Sequence, residues 1–300
     1  MSAARRICLL GFGEVGQALG EDLGMVPGVK LSTFDIQFDN PASVPSLAIA
    51  RAPGIHRCEA PSDAAANAEL VISAVTAAQD IAAARSVADS LAPGAFYLDV
   101  NSVSPGTKRR VFELVAASGA RYVEAAVMAP IFPKRIAVPM LTGGPHAEAF
   151  CAAAAELGFT GAEFCSAKIG VPSATKMCRS VIIKGMESLL TESMLAARRY
   201  GVEQNVLASL DNLLATDDWE ELARYMLSRS LEHGQRRAQE MREAAETLRE
   251  AGVSPWMSLA TVERQLEAAG FAAARSRETL AEMLDEILEE MTTTEEKANG

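Results

Sequence analysis

The sequence predicts an α/β fold, a doubly wound parallel sheet over residues 1–168, followed by an all-helical domain over 169–300 that begins with one long helix. Three observations carry this. In the first half, short apolar runs such as 7–10 and 70–72 alternate with stretches of helical spacing, the pattern of strands buried on both faces and joined by crossover helices. From Leu189 onward the spacing is helical throughout. A chain of 300 residues, 49% hydrophobic and 22% charged, has material for about two domains.

Residues 5–10 form the first strand, which runs straight into Gly11-Phe12-Gly13-Glu14-Val15-Gly16, and residues 17–23 continue with helical spacing. A G-x-G-x-x-G that closes a strand and opens a helix is a dinucleotide-binding turn of Rossmann type. Gly11 serves the tight turn, Gly13 the approach of backbone to a pyrophosphate, and Gly16 close helix–strand packing. The helix N-terminus adds N–H groups and positive dipole for the phosphates.

A second strand, 29–35, ends in Asp35, 19 residues beyond Gly16, where such a fold places the carboxylate that binds the adenosine ribose hydroxyls. That acid repels a 2′-phosphate, and no Arg follows directly in Ile36-Gln37-Phe38-Asp39-Asn40. NAD is therefore expected rather than NADP. The strand 70–76 ends at Val75 and Thr76, which are expected near the cofactor because open sheets bind ligands outside the carboxyl ends of their strands. A helix around 81–91 and a strand at 95–99 continue the alternation.

Pro172 suits the first turn of a helix, and residues 170–190 read as one helix with two unlike faces. Val181, Ile182, Ile183, Met186 and Leu189 fall on one side, expected to be buried, and Ser173, Lys176, Ser180, Lys184 and Glu187 on the other. The chain has 7 Lys against 21 Arg, so two lysines on one polar stripe stand out. Lysine is also the basic side chain that burial can tune into a proton donor or acceptor.

Beyond the strand 95–99 comes Asp99-Val100-Asn101-Ser102-Val103-Ser104-Pro105. Together with residues 10–16, the block Val123-Glu124-Ala125-Ala126-Val127-Met128-Ala129-Pro130 and residues 170–176, it resembles the β-hydroxyacid dehydrogenase superfamily. That superfamily includes 3-hydroxyisobutyrate and 6-phosphogluconate dehydrogenases, and the likeness is to the subgroup with a C-terminal helical domain of formerly unknown function. The resemblance implies an NAD-dependent oxidoreductase acting on a small 3-hydroxy acid or the corresponding carbonyl, bound between the domains. It implies Lys176 as general acid/base, Ser102 on the substrate carboxylate, and Asn101 near both nicotinamide and substrate. It also implies a homodimer in which helical domains pack together and cover one another's substrate clefts.

Three departures qualify the resemblance. Met128-Ala129-Pro130 stands where the family commonly has Ser-Gly-Gly, which implies a more apolar substrate pocket. Ser180 stands in place of an Asn and would orient Lys176 or reach substrate. Ile183 replaces the Glu of the decarboxylating enzymes, so decarboxylation of 6-phosphogluconate is disfavoured. Retention of Lys176 disfavours an imine reductase on the same scaffold, and also a non-catalytic dinucleotide-binding protein.

The remaining features set limits. A net charge of −11 argues against sequence-independent binding of nucleic acid. Cys8, Cys58, Cys151, Cys165 and Cys178 show no C-x-x-C spacing and read as reduced thiols of a cytoplasmic protein, with Cys8 and Cys178 buried. His56, His146 and His233 make no metal-ligand spacing, and no apolar run reaches the ~20 residues of a membrane span. Lys134 and Arg135, in the loop after residue 130, read as solvated rather than substrate-binding. In the helical half, breaks are expected near Gly201, Asp217, Gly252 to Pro255 and Gly270. Trp219, Tyr225 and Met226 are expected to anchor packing, and Trp256, Met257 and Leu259 to be core or interface.

Overall fold

Ile7 and Leu9 face one side of the first strand, Cys8 and Leu10 the other, and all four are buried. That is why the run is apolar without alternation: each face of the sheet has its own core. The computed structural model describes residues 5–210, 218–250 and 254–299, the side chains of a few helical residues excepted. It contains two units, Met1–Met177 and Cys178–Gly300.

The first unit follows the chain order β1 (Arg5–Leu10), α1 (Glu14–Gly24), β2 (Val29–Phe34), α2 (Val44–Ile49), β3 (Ile55–Arg57), α3 (Pro61–Ala65), β4 (Leu70–Ser73), α4 (Asp80–Val87), β5 (Phe96–Asp99), α5 (Pro105–Ala117), β6 (Arg121–Val127), β7 (Met140–Gly143), α6 (Ala147–Ala154) and β8 (Ala162–Ser166). The strands form one sheet in the order β3-β2-β1-β4-β5-β6-β7-β8. The order reverses direction at β1, so the turn after β1 lies at the crevice where such sheets hold ligands. Pairing is parallel except between β6 and β7. This is a mostly parallel doubly wound sheet, with one reversal that the sequence did not announce.

The second unit is helical. α7 (Val171–Tyr200) begins in the first unit and carries the chain into the second, where α8 (Glu203–Ser209), α9 (Trp219–Glu250), α10 (Trp256–Ala268) and α11 (Leu280–Asn299) follow. Its core joins Met194 and Ala197 to Trp219, Leu227 and Leu231 of α9 and Leu280, Met283, Leu284 and Ile287 of α11. Gly234 allows α9 and α10 to touch backbone to backbone, since a Cβ there would stand 2.2 Å from the Gln265 carbonyl oxygen. The expected breaks at Asp217 and Gly252 lie outside the described residues.

Several expectations are corrected. On α7 the polar stripe is the inward face: Ser173, Ser180 and Glu187 are buried, while Ile182 is 64% exposed and Ile183 is also exposed. The stripe can face inward because its charges are paired, Lys184 with Glu240 at 3.0 Å and Glu187 with Arg237, as buried charges require. Burial lowers the Lys184 pKa, an effect that Glu240 opposes. Cys178 is exposed rather than buried. Trp219 and Met226 are buried as packing anchors, but Tyr225 is exposed, as are Trp256, Met257 and Leu259, which form no part of the unit's core.

Candidate active site

The turn after β1 has the geometry its glycines suggested. Gly11 sits at φ +89°, and a Cβ there would fall 2.3 Å from the Ala74 carbonyl oxygen. A Cβ on Gly16 would fall 2.1 Å from the Gly11 carbonyl oxygen, whereas one on Gly13 would meet nothing within 4 Å. Gly11 and Gly16 are thus required by the protein itself, and Gly13 faces open space. α1 starts at Glu14 with no side chain capping its N-terminus, which leaves backbone donors for an anion. These residues fit a dinucleotide pyrophosphate. Glu14 is exposed and Val15 half-buried, but the Phe12 side chain is buried in the core, so only its backbone belongs to the turn.

Asp35 follows β2 and holds that turn. One carboxylate oxygen accepts the Phe12 N–H at 2.7 Å, the other the Gln37 N–H at 2.8 Å. A carboxylate offers about four acceptor sites, so capacity remains for ribose hydroxyls.

At the end of β4 the Val75 N–H donates to Asn101 Oδ1 at 2.7 Å, and Asn101 Nδ2 donates to Ser73 Oγ at 2.9 Å and Asp80 Oδ1 at 2.8 Å. Both amide protons of Asn101 are therefore committed within the protein. The side chain locks the loop after β4 to the loop after β5, and Thr76 stands exposed just beyond. Beneath lies a charge pair that the sequence reading missed. Lys108 of α5, 1% exposed, meets Asp99 Oδ1 at 2.7 Å and its carbonyl at 3.0 Å. The same carboxylate accepts Tyr122 Oη–H at 2.8 Å and the Asn101 N–H at 3.0 Å. Burial, reinforced by Asp99 and Asp80, pushes the Tyr122 hydroxyl well above its ordinary pKa, so it stays a neutral donor.

Asn101 leads to Ser102, half-buried at the start of the turn into α5, and Lys176 Nζ donates a hydrogen bond to Ser102 Oγ. The two polar residues singled out from blocks 74 positions apart are thus brought together. Met128, half-buried, follows β6 directly and donates its N–H to the Pro139 carbonyl at 2.8 Å. Ser180 is buried one turn beyond Lys176, in the second unit. Lys134 is exposed, but Arg135 is not solvated as expected: its guanidinium binds Asp22 at 2.8 Å and Glu21 at 2.7 Å, tying the loop to α1.

Glu124 of β6 is also new: it is fully buried and accepts the Gly170 and Ser173 N–H groups. A charged residue inside an otherwise apolar strand was the available signal, since a buried charge needs dedicated partners. Lys108 gave a weaker one, as a helix commonly carries lysine. Among the described residues, no group of three or more His, Cys, Asp or Glu could hold a metal ion, and no helix is long and apolar enough to cross a membrane.

A doubly wound sheet with an open glycine at its switch point defines the class, a dinucleotide-binding α/β protein with a helical second unit. Comparison with known proteins agrees. Residues 6–162 match the family described as the NAD binding domain of 6-phosphogluconate dehydrogenase, and residues 197–267 match a domain of unknown function, DUF1932. A conserved hypothetical protein from Sinorhizobium meliloti 1021 is 33% identical, with a TM-score of 0.75 over 95% of this chain and 96% of that one. The mitochondrial 3-hydroxyisobutyrate dehydrogenase of Drosophila melanogaster is 26% identical over 70% of this chain, which spans 63% of that relative's length. The 3-hydroxyisobutyrate dehydrogenase of Mycobacterium tuberculosis, 17% identical, shares the fold with a TM-score of 0.69 over 94% of this chain and 98% of that one. The chain belongs to the β-hydroxyacid dehydrogenase family, in the branch that carries the DUF1932 domain.

Proposed function

We propose that the chain is an NAD-preferring oxidoreductase that interconverts a hydroxyl and a carbonyl on a small 3-hydroxy acid, with Lys176 as general acid/base. The Lys176–Ser102 hydrogen bond carries the reading, because it presents an amine and a hydroxyl together at the carboxyl edge of the sheet. The bound dinucleotide supplies the hydride acceptor, or donor in the reverse direction. Gly13 and the N-terminus of α1 would hold its pyrophosphate, Asp35 its ribose, and Val75 and Thr76 would line its path. Lys176 would take the substrate hydroxyl proton in oxidation and return it in reduction. Ser102 would orient that amine and bind the substrate carboxylate, with Met128 as apolar wall and Ser180 as a further polar contact. Asn101 would act by fixing Val75 and the backbone leading to Ser102.

The reading includes a cytoplasmic homodimer formed through the helical unit. Trp256, 76% exposed, with Met257 and Leu259 behind it, supplies apolar surface for a second copy. Sedimentation at micromolar concentration checks this, and a fully active monomer would overturn it.

A panel of hydroxy acids that includes 3-hydroxyisobutyrate and L-serine, each with NAD and with NADP, tests the activity. Turnover with at least one, lost in Lys176→Ala while dinucleotide affinity stays within about threefold, is the expected result. Full activity of the variant would sink the role of Lys176, preference for NADP that of Asp35. Dinucleotide binding without turnover of any substrate or imine would point to a regulatory protein.

A further inference from the structure

Glu124 has no reason of packing to be where it is. It lies in the middle of β6, fully buried, in register with Asp99 on one side and Gly143 on the other. Its carboxylate instead reaches the start of α7. Oε2 accepts the Gly170 N–H at 2.5 Å and Oε1 the Ser173 N–H at 2.7 Å. These are among the donors a helix leaves unsatisfied at its first turn. A carboxylate there makes charge-assisted bonds and favourable contact with the helix dipole.

The same turn is held sterically. Gly170 has φ +98°, and a Cβ on it would come within 3.1 Å of the Pro105 Cβ. A Cβ on Gly143 would stand 2.7 Å from Pro172. The start of α7 is thus pressed against Pro105, three positions after Ser102, and against β7. Lys176 lies three positions after Ser173. A helix advances about 100° and 1.5 Å per residue, so fixing Ser173 fixes the direction in which Lys176 leaves the axis.

We propose that Glu124 is a positioning residue for Lys176: by binding both ends of the first turn of α7 it sets the rotation of the helix that aims the amine at Ser102. This rests on the reading of Lys176 as acid/base, but the geometry can be tested without a substrate. The full chain carrying Glu124→Gln or Glu124→Ala is pulse-acetylated, and the rate at Lys176 is read by mass spectrometry against the exposed Lys30, Lys134 and Lys168. Freed from Ser102, Lys176 should react about tenfold faster in Glu124→Ala, the low end for a lost hydrogen bond to a charged group. Glu124→Gln, which keeps one acceptor oxygen, should fall between that variant and the parent. Dinucleotide affinity should stay within about twofold in both, and kcat should fall with KM for dinucleotide unchanged. An unchanged acetylation rate in a variant that still binds dinucleotide overturns the proposal; if Glu124→Ala does not fold, Glu124→Gln decides by the same reading. Should Lys176→Ala prove active, the acid/base reading fails while the acetylation result still judges the positioning.

Discussion

Lys176 donates to Ser102, and the residue before Ser102, Asn101, receives the N–H of Val75. One short path therefore links the amine on α7 to the end of β4, where the proposed dinucleotide would pass. Ser102 is half-buried and caps no helix, so Ser102→Ala should fold normally. Turnover should fall by about ten- to a hundredfold, the range for losing one hydrogen bond to a charged group, with dinucleotide affinity unchanged in calorimetry. Parent-like kcat would show that the pair has no part in the chemistry.

The glycines of the first turn should separate folding from binding. Gly16→Ala places a Cβ 2.1 Å from a carbonyl oxygen, so it should lower the melting temperature clearly. Gly13→Ala meets nothing within 4 Å and should leave stability within about 1 kcal/mol. It should nonetheless weaken dinucleotide binding, because the methyl group enters the space through which a pyrophosphate approaches backbone. Unimpaired binding by Gly13→Ala would mean that the phosphates lie elsewhere.

Lys108→Met strands the buried Asp99 charge. Removal of one partner from such a pair costs about 3–5 kcal/mol, readable as a shift in urea midpoint. Adding Asp99→Asn should recover part of that loss, since the two changes act on one contact. Additive costs would show that Lys108 acts through packing alone.

Thiol reactivity should follow burial. Burial pushes the Cys8 thiol far above its ordinary value, and it lies within the core. Cys8 should therefore resist iodoacetamide until the protein unfolds. At exposed Cys165, partial burial together with Glu124 and Glu163 raises the pKa above the ordinary 9.0. Only the thiolate reacts, so labelling there should still be climbing as pH passes 9.0. A plateau below that pH, or rapid labelling of Cys8 in the native protein, would contradict these environments.

The parts of this fold that the sequence displayed are those where one residue's chemistry suffices. Gly11 and Gly16 advertise a turn because no other residue fits, and continuous apolar runs advertise strands with a core on each face. The interior of α7 was misread for a related reason. Ile182 looked like core and Glu187 like surface, because hydrophobic spacing cannot show that Arg237 and Glu240, about fifty residues later, would arrive to neutralise a charged face. Ile183, four positions before Glu187, lies within about 40° of it on the helix and belongs to the charged side rather than the opposite one. The same holds for Lys108 and Glu124, whose meaning depends on Asp99 and Gly170. The reversed β7 was hidden because an antiparallel strand buried on both faces looks like a parallel one.

The double attachment of Asp35 has a bearing on engineering. The carboxylate that would discriminate between the two nicotinamide cofactors also fastens the phosphate turn through Phe12. A designer who deletes the acid to admit a 2′-phosphate would at the same time unfasten the glycine turn proposed to hold the pyrophosphate. The neighbouring Ile36 is exposed and outside that bond, so a basic residue there would add a partner for a 2′-phosphate while leaving the Asp35–Phe12 fastening in place, though the retained acid would still oppose the phosphate.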